Sequence, residues 1–316
     1  MTDVVVLRAD THGLTARDLA AEIRSRLPDA DVAFAATPRE ERELVADAPV
    51  VVGTGIDTDL LDAAEELELF ACAYAGYGHL PLAELDERGV VVTNAAGIHA
   101  PAIADQVLGY CLTFARNLHE GIRRRERGEW RHFQGYELTE ATVTVVGLGA
   151  IGQAVVQRLD GFDCHTIGVR YTPEKGGPTD EVVGFEADAV HDAFARSDYV
   201  VIACPLTETT EGLVGAAELT TMEPHSVLVN VARGGVVDTD ALTAEIQREG
   251  IRGAAIDVAD PEPLPSDHAL WDMGNVLITP HNAGHTPRHW ERLADIVAEN
   301  VETLRAGSRD FRNRVP

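Results

Sequence analysis

The sequence predicts an α/β protein made of two units, each a parallel sheet covered on both faces by helices. Three observations predict it. Continuous valine-rich runs such as Val50-Val51-Val52 are separated by helical segments, the pattern of strands buried on both faces. This alternation fills the first hundred residues and restarts near residue 142, after a long helical stretch. At the restart, Gly147-Leu148-Gly149-Ala150-Ile151-Gly152 lies between a strand and a helix. The length of 316 residues suits two domains of about 100–200 residues each. A hydrophobic content of 45% excludes a disordered or fibrous chain.

Taken in order, residues 4–7 read as a strand and 15–27 as a helix with Leu19, Ala20, Ile23 and Leu27 on its apolar side. Strands follow at 50–52, 69–72 and 90–93. Pro101 suits the first turn of one long helix reaching about residue 127, along which Ile103, Val107, Leu108, Cys111, Leu112 and Ala115 keep a helical period. The second unit reads as strands at 142–146, 165–169, 199–204, 226–229, 253–256 and 276–278. Helices at 153–159, 216–222 and 239–247 fall among them, and a turn-rich patch at 172–180 follows the second strand. A last helix is expected from Pro287 to about Leu304, capped by Thr286.

The charge balance narrows the partners. Lys and Arg number 26 against 52 Asp and Glu, a formal charge of −26. Such a field repels phosphate backbones and anionic lipid, so neither a nucleic-acid nor a membrane partner is expected. Lys175 is the single lysine, and every other strong base is Arg. Acidity with so little lysine looks like adaptation to a high-salt cytoplasm, as in a halophilic archaeon; a merely acidic protein is the alternative. No apolar run approaches ~18 residues, and Met1-Thr2-Asp3 lacks the basic start of a signal peptide, so a cytoplasmic protein is expected. Cys72, Cys111, Cys164 and Cys204 are scattered and read as buried, reduced thiols. His281, His285 and His289 recur every fourth residue, but a helix starting at Pro287 keeps them off one face, and no metal site is expected. Trp130, Trp271 and Trp290 are expected to pack, with one of them lining a substrate pocket as the alternative.

The glycine run carries the strongest chemical signal. Its first glycine permits a tight turn, its second lets the backbone approach a pyrophosphate, and its third allows close helix–strand packing. The phosphates would meet the amides of a helix N-terminus. An acidic residue that holds the adenine ribose is expected about twenty positions on, but Arg170 stands there, followed by Tyr171 and Thr172. A guanidinium can pair with a 2′-phosphate; the alternative is an Arg that faces solvent. Arg233, Glu262 and His281 each follow a strand, at the edge where open α/β sheets place ligands. His can move a proton near neutral pH, Glu can set its charge state, and Arg can hold a carboxylate. From spacing alone, three ordinary loop residues remain the alternative.

The ordered motifs GLGAIG, CPLTETT, NVARGGVVD, DVADPEPLP with HALW, and TPHNAG closely resemble the D-isomer-specific 2-hydroxyacid dehydrogenase family across residues 71–303. The resemblance implies two flavodoxin/Rossmann-like doubly wound domains. The substrate domain would comprise 1–98 and 286–316, with the dinucleotide-binding domain, 99–285, inserted in it. It implies catalytic roles for Arg233, Glu262 and His281. Cofactor contacts would come from Gly147, Leu148, Gly149, Ala150, Ile151, Gly152, Arg170, Tyr171, Thr172, Cys204, Pro205, Thr210, Val231, Ala232, Asp257, His281 and Ala283, with Asp257 near the nicotinamide carboxamide. Substrate contacts would come from Ala75, Tyr77, Gly78, Arg233 and His281. The implied reaction interconverts a 2-oxoacid and a D-2-hydroxyacid by hydride transfer, with NADPH preferred because of Arg170 and NADH accepted. A homodimer through the nucleotide-binding domains is expected, with the helix at 101–127 contributing. Two departures stand out: Ala259 where the family often has an aromatic, and a loop at 75–79 about two residues shorter than the common form. A related dehydrogenase acting on formate or a phosphoserine precursor remains an alternative. So does a dinucleotide-sensing binding protein of the same fold, although retention of all three catalytic groups argues against it.

Overall fold

Two sheets, each covered on both faces, organise the computed structural model, which describes residues 2–11 and 13–316. Met1, where the N-terminal reading begins, and His12 lie outside the described residues. The chain divides into one unit of Met1–His99 with His285–Pro316 and a second of Ala100–Gly284.

The first unit has strands β1 (Val4–Val6), β2 (Val32–Phe34), β3 (Val50–Gly53), β4 (Leu69–Cys72) and β5 (Val91–Thr93), all parallel in the order β2-β1-β3-β4-β5. Helices α1 (Ala16–Arg26), α2 (Pro38–Val45), α3 (Thr58–Ala63) and α4 (Leu82–Glu87) connect them. Thr15 caps α1 by accepting from the Asp18 amide, and Thr37 forms a capping box with Glu40. Strand alternation sends Val4, Val6, Val50 and Val52 to one face, against Leu19 and Ile23 of α1 and Leu293 and Val297 of the closing helix. Val5, Val51 and Phe70 face the other core.

The second unit opens with α5 (Ala100–Ala115) and α6 (Leu118–Glu126), followed by β6 (Thr142–Val146), α7 (Ala150–Leu159), β7 (His165–Val169), β8 (Glu181–Val183), α8 (Ala187–Ala195) and β9 (Tyr199–Ile202). It ends with α9 (Ala216–Thr221), β10 (Val227–Asn230), α10 (Thr239–Gln247), β11 (Gly253–Ile256) and β12 (Val276–Ile278). The seven strands are parallel in the order β12-β11-β10-β9-β6-β7-β8. The chain therefore runs outward from β6 on one side and returns to β9 on the other. The carboxyl ends of β6 and β9 form a topological switch point, where such sheets bind ligands. The closing helix, α11 (His289–Arg305), returns to the first unit.

Several expectations need correction. The single helix at 101–127 is two helices, because Asn117 takes a left-handed φ of 51°. Its side chain donates to the Gln134 carbonyl and accepts from Arg252, a pair of tertiary bonds that hold a conformation asparagine tolerates. The last helix starts at His289 rather than Pro287; Thr286 accepts from the Arg288 amide in the turn ahead of it instead of capping it. Strands β2 and β8, which the sequence did not reveal, lie at sheet edges. Trp290 is buried, but Trp130 is 99% exposed and Trp271 is half exposed, so the three tryptophans do not all pack. Cys72, Cys111 and Cys204 are buried and Cys164 is half-buried; all are free thiols. Burial pushes Cys111 up to about 12 and Cys164 and Cys204 to about 11, which leaves them poor nucleophiles. Among the described residues, no helix is long and apolar enough to cross a membrane.

Candidate active site

The glycine run turns sharply out of β6 into α7, and each glycine is used differently. Gly147 has φ +97°, and a Cβ there would lie 2.7 Å from the Cys204 backbone. At Gly152 a Cβ would lie 1.9 Å from the Gly147 carbonyl oxygen, so only glycine lets α7 start this close to the strand. At Gly149 a Cβ would meet nothing within 4 Å. That position begins α7 without any side-chain cap, so the first-turn amides of the helix face outward, as a pyrophosphate requires. These residues fit a dinucleotide.

Arg170 follows β7. One guanidinium nitrogen donates to the Gly176 carbonyl, closing the loop over the short 3-10 turn at Pro173–Lys175. Tyr171 is 79% exposed, and Thr172 leads into the turn. After β9, Thr210 is buried; its hydroxyl donates to the Pro205 carbonyl at 2.6 Å and accepts from the Thr207 amide at 2.8 Å. Thr210 thus shapes the loop from Cys204 onward, with its hydroxyl turned inward.

After β10, Asn230 clamps the next turn. Its side chain accepts from the Ala232 amide and donates to the Arg233 carbonyl. Val231 and Ala232 are buried, whereas Arg233 is exposed and donates to the Ala232 carbonyl at 2.7 Å. Gly234 lies against the segment after β11: a Cβ there would be 2.0 Å from the Ala259 carbonyl. The loop of Arg233 is thereby pressed onto the segment that leads to Glu262. Asn230 and Gly234 were missed as site-building residues; the NVARGG motif was their only signal.

Asp257, at the end of β11, is buried. Its carboxylate accepts from the Asn282 amide at 2.8 Å, the Ala283 amide at 2.9 Å and the Thr279 hydroxyl, and its carbonyl accepts from the His281 amide at 2.7 Å. These bonds hold His281 at φ +52°, a left-handed conformation that costs on the order of 1–2 kcal/mol for a side-chain-bearing residue. Hydrogen bonds to a charged acceptor, each worth about 1.5–3 kcal/mol, offset that strain. His281 Nδ1 then lies 2.8 Å from Glu262 Oε1, with both side chains about half exposed. A carboxylate only accepts, so the ring proton belongs on Nδ1 and Nε2 is the nitrogen left to meet a ligand. A cavity of about 310 Å³ adjoins the pair, lined in part by Ala259, Leu264, Trp271 and Ile278. Ala259, where an aromatic was the family expectation, leaves part of this space open.

In the first unit, the loop after β4 carries Ala75, Tyr77 and Gly78. Asn94 donates to the Ala75 carbonyl and Tyr77 packs on the core, while Ala75 and Gly78 are exposed. Among the described residues, no backbone amide from 75 to 78 donates to a protein acceptor, so this loop can supply donors to an anion. Of the three histidines that recur every fourth residue, His281 belongs to the second unit and His285 and His289 to the first.

Comparison with known proteins bears on the whole chain. Residues 108–283 match the family described as D-isomer specific 2-hydroxyacid dehydrogenase, NAD binding domain. A D-3-phosphoglycerate dehydrogenase of Methanocaldococcus jannaschii is 33% identical over 91% of this chain, which spans only 56% of that relative's length. A glyoxylate reductase of Pyrococcus furiosus is 32% identical over 85% of this chain and 83% of its own. A D-isomer specific 2-hydroxyacid dehydrogenase from Xanthobacter autotrophicus Py2, solved with NADPH and MES, superposes with a TM-score of 0.79 at 27% identity, covering 100% of this chain and 98% of the other. The archaeal relatives are thermophiles and give no support to a high-salt origin. With more than half its length in the family's nucleotide domain and a relative matched along most of both chains, this chain belongs to the D-isomer-specific 2-hydroxyacid dehydrogenases, NAD(P)-dependent oxidoreductases of 2-oxoacids and D-2-hydroxyacids.

Proposed function

We propose that this enzyme reduces a small 2-oxoacid, with Arg233 holding the substrate and His281 donating the proton. The observation that carries the reading is the 2.8 Å contact between His281 Nδ1 and Glu262. When bound, the dinucleotide supplies the hydride. Arg233, with its remaining N–H groups, pairs with the carboxylate and carbonyl side of the acid. In the first unit, the amides around Tyr77 and Gly78 are the donors this reading assigns to a substrate carboxylate. His281 Nε2 delivers a proton to the developing alkoxide, and Glu262 balances the charge of the ring that donates it. The basic Arg233 and the protonated ring make a local cationic spot for an anion within an acidic protein.

Domain boundaries at 98/99 and 285/286, with substrate held by the outer segments and dinucleotide by the inner, are part of this reading. The names of the relatives favour glyoxylate or a phosphorylated 3-carbon acid as substrate. Arg170 favours NADPH: no acidic side chain stands at that position, and one nitrogen bonded to Gly176 leaves the rest of the guanidinium for a 2′-phosphate. Association as a homodimer is supported by the exposed apolar side chains Leu118, Ile122, Trp130, Phe133 and Tyr136 on and after α6.

The test is His281→Ala assayed with glyoxylate and pyruvate at saturating NADPH. The reading expects kcat to fall roughly 10²–10⁴-fold with dinucleotide affinity little changed. Near-parental kcat removes His281 from the role. A parent without turnover on any 2-oxoacid would favour a dinucleotide-sensing binding protein.

A further inference from the structure

Two hydroxyls outside the proposed chemistry reach into the loop that carries His281. Thr279, directly after β12, donates to Asp257 Oδ1, and the Tyr110 hydroxyl of α5 meets the Thr279 oxygen. A threonine hydroxyl has one proton and a carboxylate can only accept, so that proton goes to Asp257. The Thr279 oxygen must therefore accept from Tyr110, and the line of donation has one direction: Tyr110 to Thr279 to Asp257. Tyr110 is buried, and burial pushes its hydroxyl above the usual range, which keeps the donor proton in place. At the far end, Asp257 receives the amides of Asn282 and Ala283, the two residues that follow the left-handed His281.

We propose that Thr279 and Tyr110 are positioning residues for His281, fixing the Asp257 carboxylate in the orientation that clamps the histidine loop. The proposal rests on His281 being the proton donor. Thr279 orients the carboxylate directly, and Tyr110 orients Thr279 from a helix that otherwise packs against α7 and the sheet. Loss of either would let the loop leave its strained conformation and carry Nε2 away from the substrate oxygen. Displacements of about 1 Å cost on the order of 10²-fold in such steps.

The experiment compares Thr279→Val, Thr279→Ser, Tyr110→Phe and His281→Ala in the full chain, and combines each of the first and third with His281→Ala. Turnover is read with glyoxylate and NADPH, and dinucleotide affinity by NADPH fluorescence. Thr279→Val is expected to lower kcat roughly 10- to 100-fold, with KM for glyoxylate and Kd for NADPH changing by much less than kcat. Thr279→Ser should restore most of the loss, and Tyr110→Phe should lower kcat about three- to tenfold. Neither change should lower kcat further in the His281→Ala background, because the effect passes through that ring. Additive losses there, or no rescue by serine, overturn the proposal. A crippled His281→Ala enzyme beside an unaffected Thr279→Val overturns the positioning alone, whereas near-parental His281→Ala overturns the proton-donor reading and the positioning with it. Should the valine variant fail to fold, Tyr110→Phe alone and with His281→Ala makes the same distinction.

Discussion

Alanine at Gly149 and at Gly152 separates two roles within the same turn. At Gly152 the new methyl would sit 1.9 Å from the Gly147 oxygen, more than 1 Å inside the closest approach that Cβ atoms tolerate, and the obstacle is backbone. The helix start must move off the strand, at the usual cost of overpacking, about 1–3 kcal/mol. At Gly149 the methyl meets no protein atom within 4 Å, and the backbone is already extended at φ −79°. Its cost to the fold is only the small loss of glycine at a helix start, at most about 1 kcal/mol. On the proposed reading, the same methyl occupies the space that a pyrophosphate enters. Blocking one charge-assisted hydrogen bond, about 1.5–3 kcal/mol, weakens binding roughly ten- to 150-fold. Thermal melting and NADPH fluorescence titration read the two effects separately. Gly152→Ala should lower both melting temperature and affinity, whereas Gly149→Ala should lose affinity at near-parental melting temperature. Parental Kd in a folded Gly149→Ala protein would refute a pyrophosphate seated on this helix start.

Three further outcomes are expected. Glu262→Gln keeps the shape of the side chain but removes the charge beside His281, so kcat should fall while NADPH affinity holds; a parental kcat counts against the pair. Arg170→Asp should invert the proposed preference for NADPH, since an Arg–phosphate contact would be worth about 1.5–3 kcal/mol, or roughly ten- to a hundredfold; a parent that prefers NADH, or an unmoved kcat/KM ratio, shows that Arg170 does not read the phosphate. With a formal charge of −26, screening should raise the melting temperature steeply between low and molar KCl, and a flat or falling curve removes the high-salt reading.

What the sequence determined by itself is what local chemistry dictates. Val143, Val145 and Val146 announce β6 because a strand covered on both faces is mostly apolar, and all three are fully buried, with the buried Thr144 between them paired to Ser197. The glycine run was legible because each of its restrictions is local to one turn. The edge strands β2 and β8 were not, since each is only three residues long and most of their residues are half-buried, too little to stand out as a buried run. The break at Asn117 was hidden for a different reason: the helical period runs up to Ala115, and the break is held by Gln134 and Arg252, partners far away in sequence. His281 could be picked out as a histidine after a strand, with Glu262 its expected partner. Only the tertiary structure decided how it is held, because the left-handed backbone at 281 depends on a carboxylate 24 residues earlier and a tyrosine 171 residues earlier. Spacing along the chain carries no information about such bonds, since they exist only once β11, β12 and α5 have packed together.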